Sequence, residues 1–189
     1  MEKVKNEYVE IFNNSTGSVS LISDKSRVNF PAPSRRVPKV SKKIKIDEIV
    51  DIYNTAGVAS VFEQEILIIK DAEIRELLGM EPLGEFTKTY EELQSFLIDS
   101  SPKELESFIL YCSNQALDNL FELAKTLPNK DLQKNEILRG YTGKDAYKMY
   151  QELEEEKQIL NPAEPRKAVS RQVEVDKDED SKPSRKRVN

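Results

Sequence analysis

The sequence predicts an α+β fold: a small N-terminal β-rich α+β domain, then an all-helical bundle, then a flexible C-terminal tail. Three observations carry that expectation. Residues 8–12, 18–22 and 42–46 alternate apolar and polar side chains, the period of a half-buried strand. From Thr89 onward the apolar residues recur at i, i+3, i+4 and i+7, one face of a helix. From Asn161 the apolar content collapses into Pro162, Pro165, Asp176-Lys177-Asp178-Glu179-Asp180 and Arg185-Lys186-Arg187, a composition that builds no core. The expected boundaries are 1–79 for the α+β domain, 80–88 for a linker, 89–158 for the helices and 159–189 for a disordered tail.

Taken in order, Tyr8 to Phe12 reads as a strand and Asn13 to Gly17 as a turn. Ser18 to Ile22 follows as a second strand, so a hairpin with a loop of five residues is expected. Residues 23–41 hold Pro31, Pro33 and Pro38, which deny a regular ladder and predict a loop or arm. Lys42 to Ile46 returns as a third strand. Asp47 is the expected N-cap of a helix whose face is Ile46, Ile49, Val50 and Tyr53, ended by Gly57. Ala59 to Glu65 suits a short helical turn. Ile66 to Ile69 is a continuous apolar run, the pattern of a buried strand. Asp71 then caps a helix through Leu78, with Gly79 in the C′ position.

In the second half, Tyr90, Leu93, Phe96 and Leu97 share a face. Ser101-Pro102-Lys103-Glu104 combines an N-cap serine, proline at N1 and a glutamate that closes a capping box. Leu105, Phe108, Ile109 and Cys112 continue one apolar stripe, and Leu117, Leu120, Phe121 and Ala124 form the next. Pro128 stops that helix and Asp131 starts another. Gly140 and Gly143 are expected to break the chain before a last helix from Lys144 to Gln158. Four or five short antiparallel helices result.

Composition narrows the chemistry. The chain of 189 residues has no histidine, so the usual base of Ser or Cys triads and the commonest transition-metal ligand are missing. Cys112 is the single cysteine, which excludes an intramolecular disulfide and, on an apolar stripe without histidine, reads as a core thiol. Residues 1–7 lack the apolar segment of a signal peptide, and no apolar run approaches the about 20 residues that span a bilayer. Asn13-Asn14-Ser15-Thr16 fits the N-glycosylation pattern twice but reads as a turn. Gly140-Tyr141-Thr142-Gly143-Lys144-Asp145 is not a Walker loop, because Leu138 and Asp145 stand where glycine and Ser/Thr are required. The many carboxylate pairs, such as Glu91-Glu92, read as solvated faces. No catalytic residue, metal site or cofactor is expected.

Charge distribution is the strongest functional signal. Residues 1–45 carry a balance of +6, residues 46–157 of −13 and residues 158–189 of +2. Lys25, Arg27, Arg35, Arg36, Lys39, Lys42, Lys43 and Lys45 fall within 21 residues without an intervening acid. Such a basic arm (23–45) suits an anionic partner: phosphates in a salt-dependent, sequence-tolerant complex, or an acidic protein surface, including that of a neighbouring copy. Only Phe30 is interleaved with these cations, so base stacking is not indicated. Arg185, Lys186 and Arg187 offer a second cationic contact.

Two stretches resemble known patterns. Residues 8–79, through Val61-Phe62-Glu63-Gln64-Glu65-Ile66-Leu67-Ile68-Ile69 and Ile74-Arg75-Glu76-Leu77-Leu78-Gly79, resemble a small domain of proteins from large tailed bacteriophages. That resemblance implies a virion or assembly component. Leu120-Phe121-Glu122-Leu123-Ala124-Lys125, with Leu132, Lys134, Glu136, Ile137 and Leu138, is similar to the helix-extended-loop-helix of Rho-N-terminal and SAP-like domains, around 117–139. Those modules often touch nucleic acid. The combined expectation is a non-enzymatic phage structural protein, a minor virion component in the virion or host cytoplasm. Its partners would be other virion or assembly proteins or copies of itself, with no membrane involved. A small nucleic-acid-binding accessory protein that uses the same basic arm is the alternative.

Overall fold

The computed structural model describes residues 7–127 and 131–160, and the chain is α+β. Five strands lie in the first 69 residues: β1 Tyr8–Asn13, β2 Val19–Ile22, β3 Arg27–Phe30, β4 Ser41–Lys45 and β5 Leu67–Ile69. Among them run α1 Ile46–Tyr53 and α2 Val58–Glu63, and α3 Ala72–Leu77 follows β5. The remaining helices are α4 Tyr90–Asp99, α5 Pro102–Ile109, α6 Asn114–Thr126, α7 Leu132–Thr142 and α8 Ala146–Leu160.

Strand pairing departs from the expected hairpin. β1 does not pair with β2. It is the centre of an antiparallel sheet of order β4-β1-β5, with Val9 opposite Ile44 and Ile11 opposite Ile69. β2 instead pairs with β3, Leu21 opposite Val28. The expected arm therefore contains a strand, since its three prolines all lie after Phe30 and leave Arg27–Phe30 free to form a ladder. The physical reason lies in burial. Pairing β1 with β4 and β5 gathers Val9, Ile11, Ile44, Leu67 and Ile69 over α1, whose Ile49 and Ile52 are fully buried. The β2–β3 hairpin adds Leu21 and Phe30 to the same core.

Asn13 ends β1, the turn follows it at residues 15–17, and Asn13 and Asn14 are both buried. The Asn13 amide donates to the Gly17 carbonyl at 3.0 Å and the Pro31 carbonyl at 2.7 Å, and its Oδ1 accepts the Ser15 N–H at 2.9 Å. One side chain thus ties three segments together.

Helix starts follow local chemistry, with two corrections. The Asp71 carboxylate accepts from the Glu73 and Ile74 N–H groups, and Ser101 with Glu104 forms the full capping box. The first helix, however, begins two residues earlier than expected: Lys45, not Asp47, is its N-cap, and Asp47 sits inside the first turn, where its charge favours the helix dipole. Gly140 does not break α7, which continues to Thr142. Gly143, at φ 69°, is the left-handed C-cap.

A second apolar core, separate from the first, is built by Leu93, Leu97, Leu105, Leu120, Leu123 and Leu138. Lys134 is buried against it, and its ammonium donates to the Leu97 and Ile98 carbonyls at 2.8 and 3.2 Å, satisfying the end of α4.

The two cores meet through a polar seam. The Asn119 amide of α6 donates to the Asn14 carbonyl at 2.5 Å, and both residues are fully buried. The Glu65 carboxylate accepts the Thr87 hydroxyl at 2.6 Å and the Ser113 hydroxyl at 2.5 Å. Asn119→Ala removes the principal donor to a buried carbonyl, so it should destabilise the fold by about 1–3 kcal/mol. Urea unfolding of the full chain reads this from the midpoint, and an unchanged midpoint would remove the seam from the stability argument. Ser101→Ala, which strips a solvent-side cap, should lower stability by about 1 kcal/mol.

Candidate interaction surface

The basic segment is folded, and its cations are dispersed over the β2–β3 hairpin, the turn at 34–37 and β4 with the residues before it. Lys25 lies in the β2–β3 turn and pairs with Asp51 of α1 at 2.7 Å. That contact raises the lysine pKa, chiefly through the hydrogen bond to Asp51. Arg27 is exposed at the start of β3, opposite Ile22.

Arg35 and Arg36 occupy an exposed turn closed by reciprocal Ser34 and Val37 backbone hydrogen bonds at 3.0 and 3.1 Å. The Arg35 Nη1 donates to the Thr126 carbonyl at 3.0 Å, the last residue of α6. A cation at the carbonyl end of a helix is favoured by the dipole. The Arg35 carbonyl in turn accepts from the Gln94 amide of α4 at 3.5 Å. This turn is therefore fastened to the helical half of the molecule.

Lys42, Lys43 and Lys45 lie on β4, an edge strand of its sheet. Lysines on an edge oppose strand addition by another chain, which gives them a structural reason to stand there. Alternation puts Lys42 on the side of Ile44, and Lys43 and Lys45 on the outer face. There Lys43 stands opposite Glu10, and Lys45 opposite Tyr8. Lys45 also approaches Glu7 at 3.9 Å, and Lys39 approaches Glu10 at 3.5 Å. Arg185, Lys186 and Arg187 lie outside the described residues.

Pairing of β1 with β4 adds residues that composition did not single out. Tyr8, Glu10 and Phe12 share the outer face with the lysines. Two ammonium groups approach the Phe12 ring, Lys39 Nζ at 5.5 Å and Lys70 Nζ at 5.4 Å from its centroid. Tyr8, Glu10, Phe12, Lys43 and Lys70 line an open depression of about 560 Å³. The period-2 pattern of residues 8–12 already placed Tyr8, Glu10 and Phe12 together. Only the pairing partner was hidden.

Glu10 is the electrostatic centre of this face. The Ser41 hydroxyl, donating at 2.6 Å, is the main cause holding its carboxyl below the ordinary 4.5; burial opposes it, and Lys39 and then Lys43 add to the lowering. Lys70 is paired with Glu92 of α4 at 2.5 Å, so this cation also bridges to the helical half.

A second cavity, of about 460 Å³, lies between α3 and the 79–87 connector and is lined by Tyr53, Glu65, Arg75 and Thr87 among others. Its polar groups are engaged internally. Arg75 donates to the Glu81 carbonyl and to the Ile69 carbonyl at 3.4 Å, and Glu65 holds Thr87 and Ser113. Glu65 is the one described non-glycine residue with positive φ, 57°, because it is the C′ residue that ends α2: its N–H donates to the Phe62 carbonyl at 3.1 Å and the Ile66 N–H to the Val61 carbonyl at 3.0 Å, the pairing of a left-handed helix end. Cys112 is half-buried with its pKa pushed up to about 11, first by burial. It is not an activated thiol. Among the described residues no cluster of three or more His, Cys, Asp or Glu is arranged to hold a metal ion, and no helix is long and apolar enough to cross a membrane.

Compared with known proteins, the chain matches no family model, no curated protein and no solved structure at a significant level.

Because the folded Glu10 pKa is depressed, its carboxylate contributes stability that is present above about pH 4.5 and is lost as pH falls through the lower folded value. Ser41→Ala should move the Glu10 pKa upward in a carbon-detected NMR titration, and Glu10→Gln should flatten the acid limb of the stability curve. For Cys112, an upward displacement from 9.0 to about 11 lowers the thiolate fraction about a hundredfold near neutral pH. Iodoacetamide should therefore label the native protein far more slowly than the urea-unfolded chain.

Proposed function

We propose that this chain is a non-enzymatic interaction protein, a minor structural or assembly component of a tailed-phage particle, that engages an acidic protein surface through its N-terminal cations. One observation carries the reading. Of the eight cations between Lys25 and Lys45, Lys25, Lys39 and Lys45 are paired with carboxylates and Lys43 stands opposite Glu10, whereas Arg27, Arg35, Arg36 and Lys42 make no ion pair with a described carboxylate. In a molecule whose middle carries −13, local acids were available to neutralise them. Cations left uncompensated on a fixed scaffold steer association and select partners of opposite sign. The seam and the Arg35–Thr126 bond supply the fixed scaffold.

A second reading rests on its own observation. Tyr8 and Phe12 stand beside Lys39, Lys43 and Lys70 on one sheet face, a combination used to stack and neutralise single-stranded nucleic acid. Glu7, Glu10 and Asp71 border the same depression and oppose phosphate there. That balance favours the protein partner.

Two measurements separate the readings. The charge-reversed variant Arg35→Glu/Arg36→Glu/Lys42→Glu/Lys43→Glu should be depleted at least about tenfold from purified particles relative to wild type. Absence of the wild-type chain from those particles would defeat the structural reading. A labelled oligothymidine should bind weakly or not at all at about 50 mM salt. Tight binding that falls linearly with log salt, and that Phe12→Ala weakens, would establish the nucleic-acid reading instead.

A further inference from the structure

Strand β4 leaves one edge of its sheet open, and the chain carries a segment that matches that edge. We propose that Val173-Glu174-Val175-Asp176 adds to β4 of its own molecule as a further strand, with Glu174 and Asp176 beside Lys43 and Lys45. The inference goes beyond the reading above and does not depend on it.

The backbone sets the first half of the contact. The Asn13 N–H donates to the Val40 carbonyl at 2.8 Å and the Ile46 N–H to the Glu7 carbonyl at 3.1 Å, one at each end of the β1–β4 ladder. Bonded and non-bonded pairs alternate in an antiparallel ladder, so Lys42 and Ile44 also turn their N–H and C=O groups toward β1. Ser41 and Lys43 turn both groups the other way, and Lys45 turns its N–H that way. No further strand lies there, and among the described residues no hydrogen bond reaches these groups. Lys42, Lys43 and Lys45 are exposed along this edge. Glu7 and Glu10 approach Lys45 and Lys39 only at 3.9 and 3.5 Å, and both lie on the β1 side, away from the open edge.

Backbone selects the occupant as much as charge does. Carboxylates of the described helices and strands sit on main chain already bonded within those elements, so they cannot supply a strand. Glu81 and Glu85 of the connector flank Pro82 and Gly84, with no strand period. The residues before β1 run directly into the central strand and carry Lys3 and Lys5, which a lysine edge repels. In the stretch after α8, residues 173–176 alone alternate apolar and acidic side chains, and no proline interrupts them. Side chains two apart share a face, so Glu174 and Asp176 match the spacing of Lys43 and Lys45 on the outer face, and Val173 and Val175 fall on the side of buried Ile44. Residues 161–172 span about 40 Å when extended. That is about the diameter of a compact chain of this size, so the segment reaches the sheet. The lysines that oppose a neutral or basic strand are neutralised by this acidic one. Once added, it occupies the edge that a partner's strand would use.

Amide hydrogen exchange of the full chain, read residue by residue by NMR at about 50 mM salt, tests this. The Lys43 N–H faces the open edge and should exchange at least about tenfold more slowly in wild type than in Glu174→Lys/Asp176→Lys. The same loss of protection is expected in Val173→Gly/Val175→Gly, which keeps the charge and removes the strand period. The Lys42 and Ile44 N–H groups, bonded to β1, should exchange alike in all three chains, which separates loss of the added strand from loss of global stability. Combining Lys43→Glu/Lys45→Glu with Glu174→Lys/Asp176→Lys should restore slow exchange at position 43, because the signs are then exchanged across the pair. Equal exchange of the Lys43 N–H in wild type and either tail variant overturns the inference, and so does a combined variant that does not recover protection. Protection that rises with protein concentration assigns the edge to a second copy and overturns it as well.

Discussion

The hydrogen bond from the Asn119 amide to the Asn14 carbonyl is the constraint on which the arrangement of this molecule depends. Each half has its own apolar core, and the two cores do not merge. What fixes one against the other is polar and buried: Asn14 and Asn119 are excluded from solvent, and Gln115 adds a longer contact to the same carbonyl at 3.4 Å. The Asn14 amide donates in turn to the Glu65 carbonyl at 3.2 Å, and the Glu65 carboxylate reaches Thr87 and Ser113. Buried polar groups are costly when unpaired, so such a chain of bonds disfavours alternative dockings more strongly than apolar contact would.

That constraint governs the surface. With the halves fixed, the proline-containing segment crosses from the sheet to the helices, and the Arg35 turn lands at the carboxyl end of α6. The lysines of β4 remain with the sheet, and Lys70 reaches Glu92 from its other edge. A segment that reads as a flexible arm is therefore a scaffolded surface, with its cations pointing to different neighbours. On the proposed reading, the surface offered to a partner is preformed and the ordering cost of binding falls accordingly.

Most elements were legible because their signals are local. Asp71, Ser101 and Asp131 each cap the helix they precede, and the stripes at Leu105 and Leu120 are buried as their spacing requires. Strand pairing was not legible. Alternation in Tyr8–Phe12 says which side chains share a face but not which strand lies alongside, and the nearest strand in sequence was the wrong one. The β3 strand was hidden for a similar reason: Arg27–Phe30 borders a proline-rich stretch whose breakers act only after Phe30. Of the surface, the cations were evident from their density, while Tyr8, Phe12 and Lys70 emerged only through pairing.

Composition and spacing alone determined the α+β class, the helical second half, the want of histidine chemistry and the excess of positive charge near the N-terminus, because these depend on neighbours in the chain. Tertiary structure decided which cations are neutralised, which carboxylates neutralise them and which aromatic rings stand beside them. Those are contacts between residues far apart in sequence, such as Lys25 with Asp51, Lys70 with Glu92 and Arg35 with Thr126. Folding brings such groups within bonding distance only after the cores have formed, and no local pattern records the distance between them.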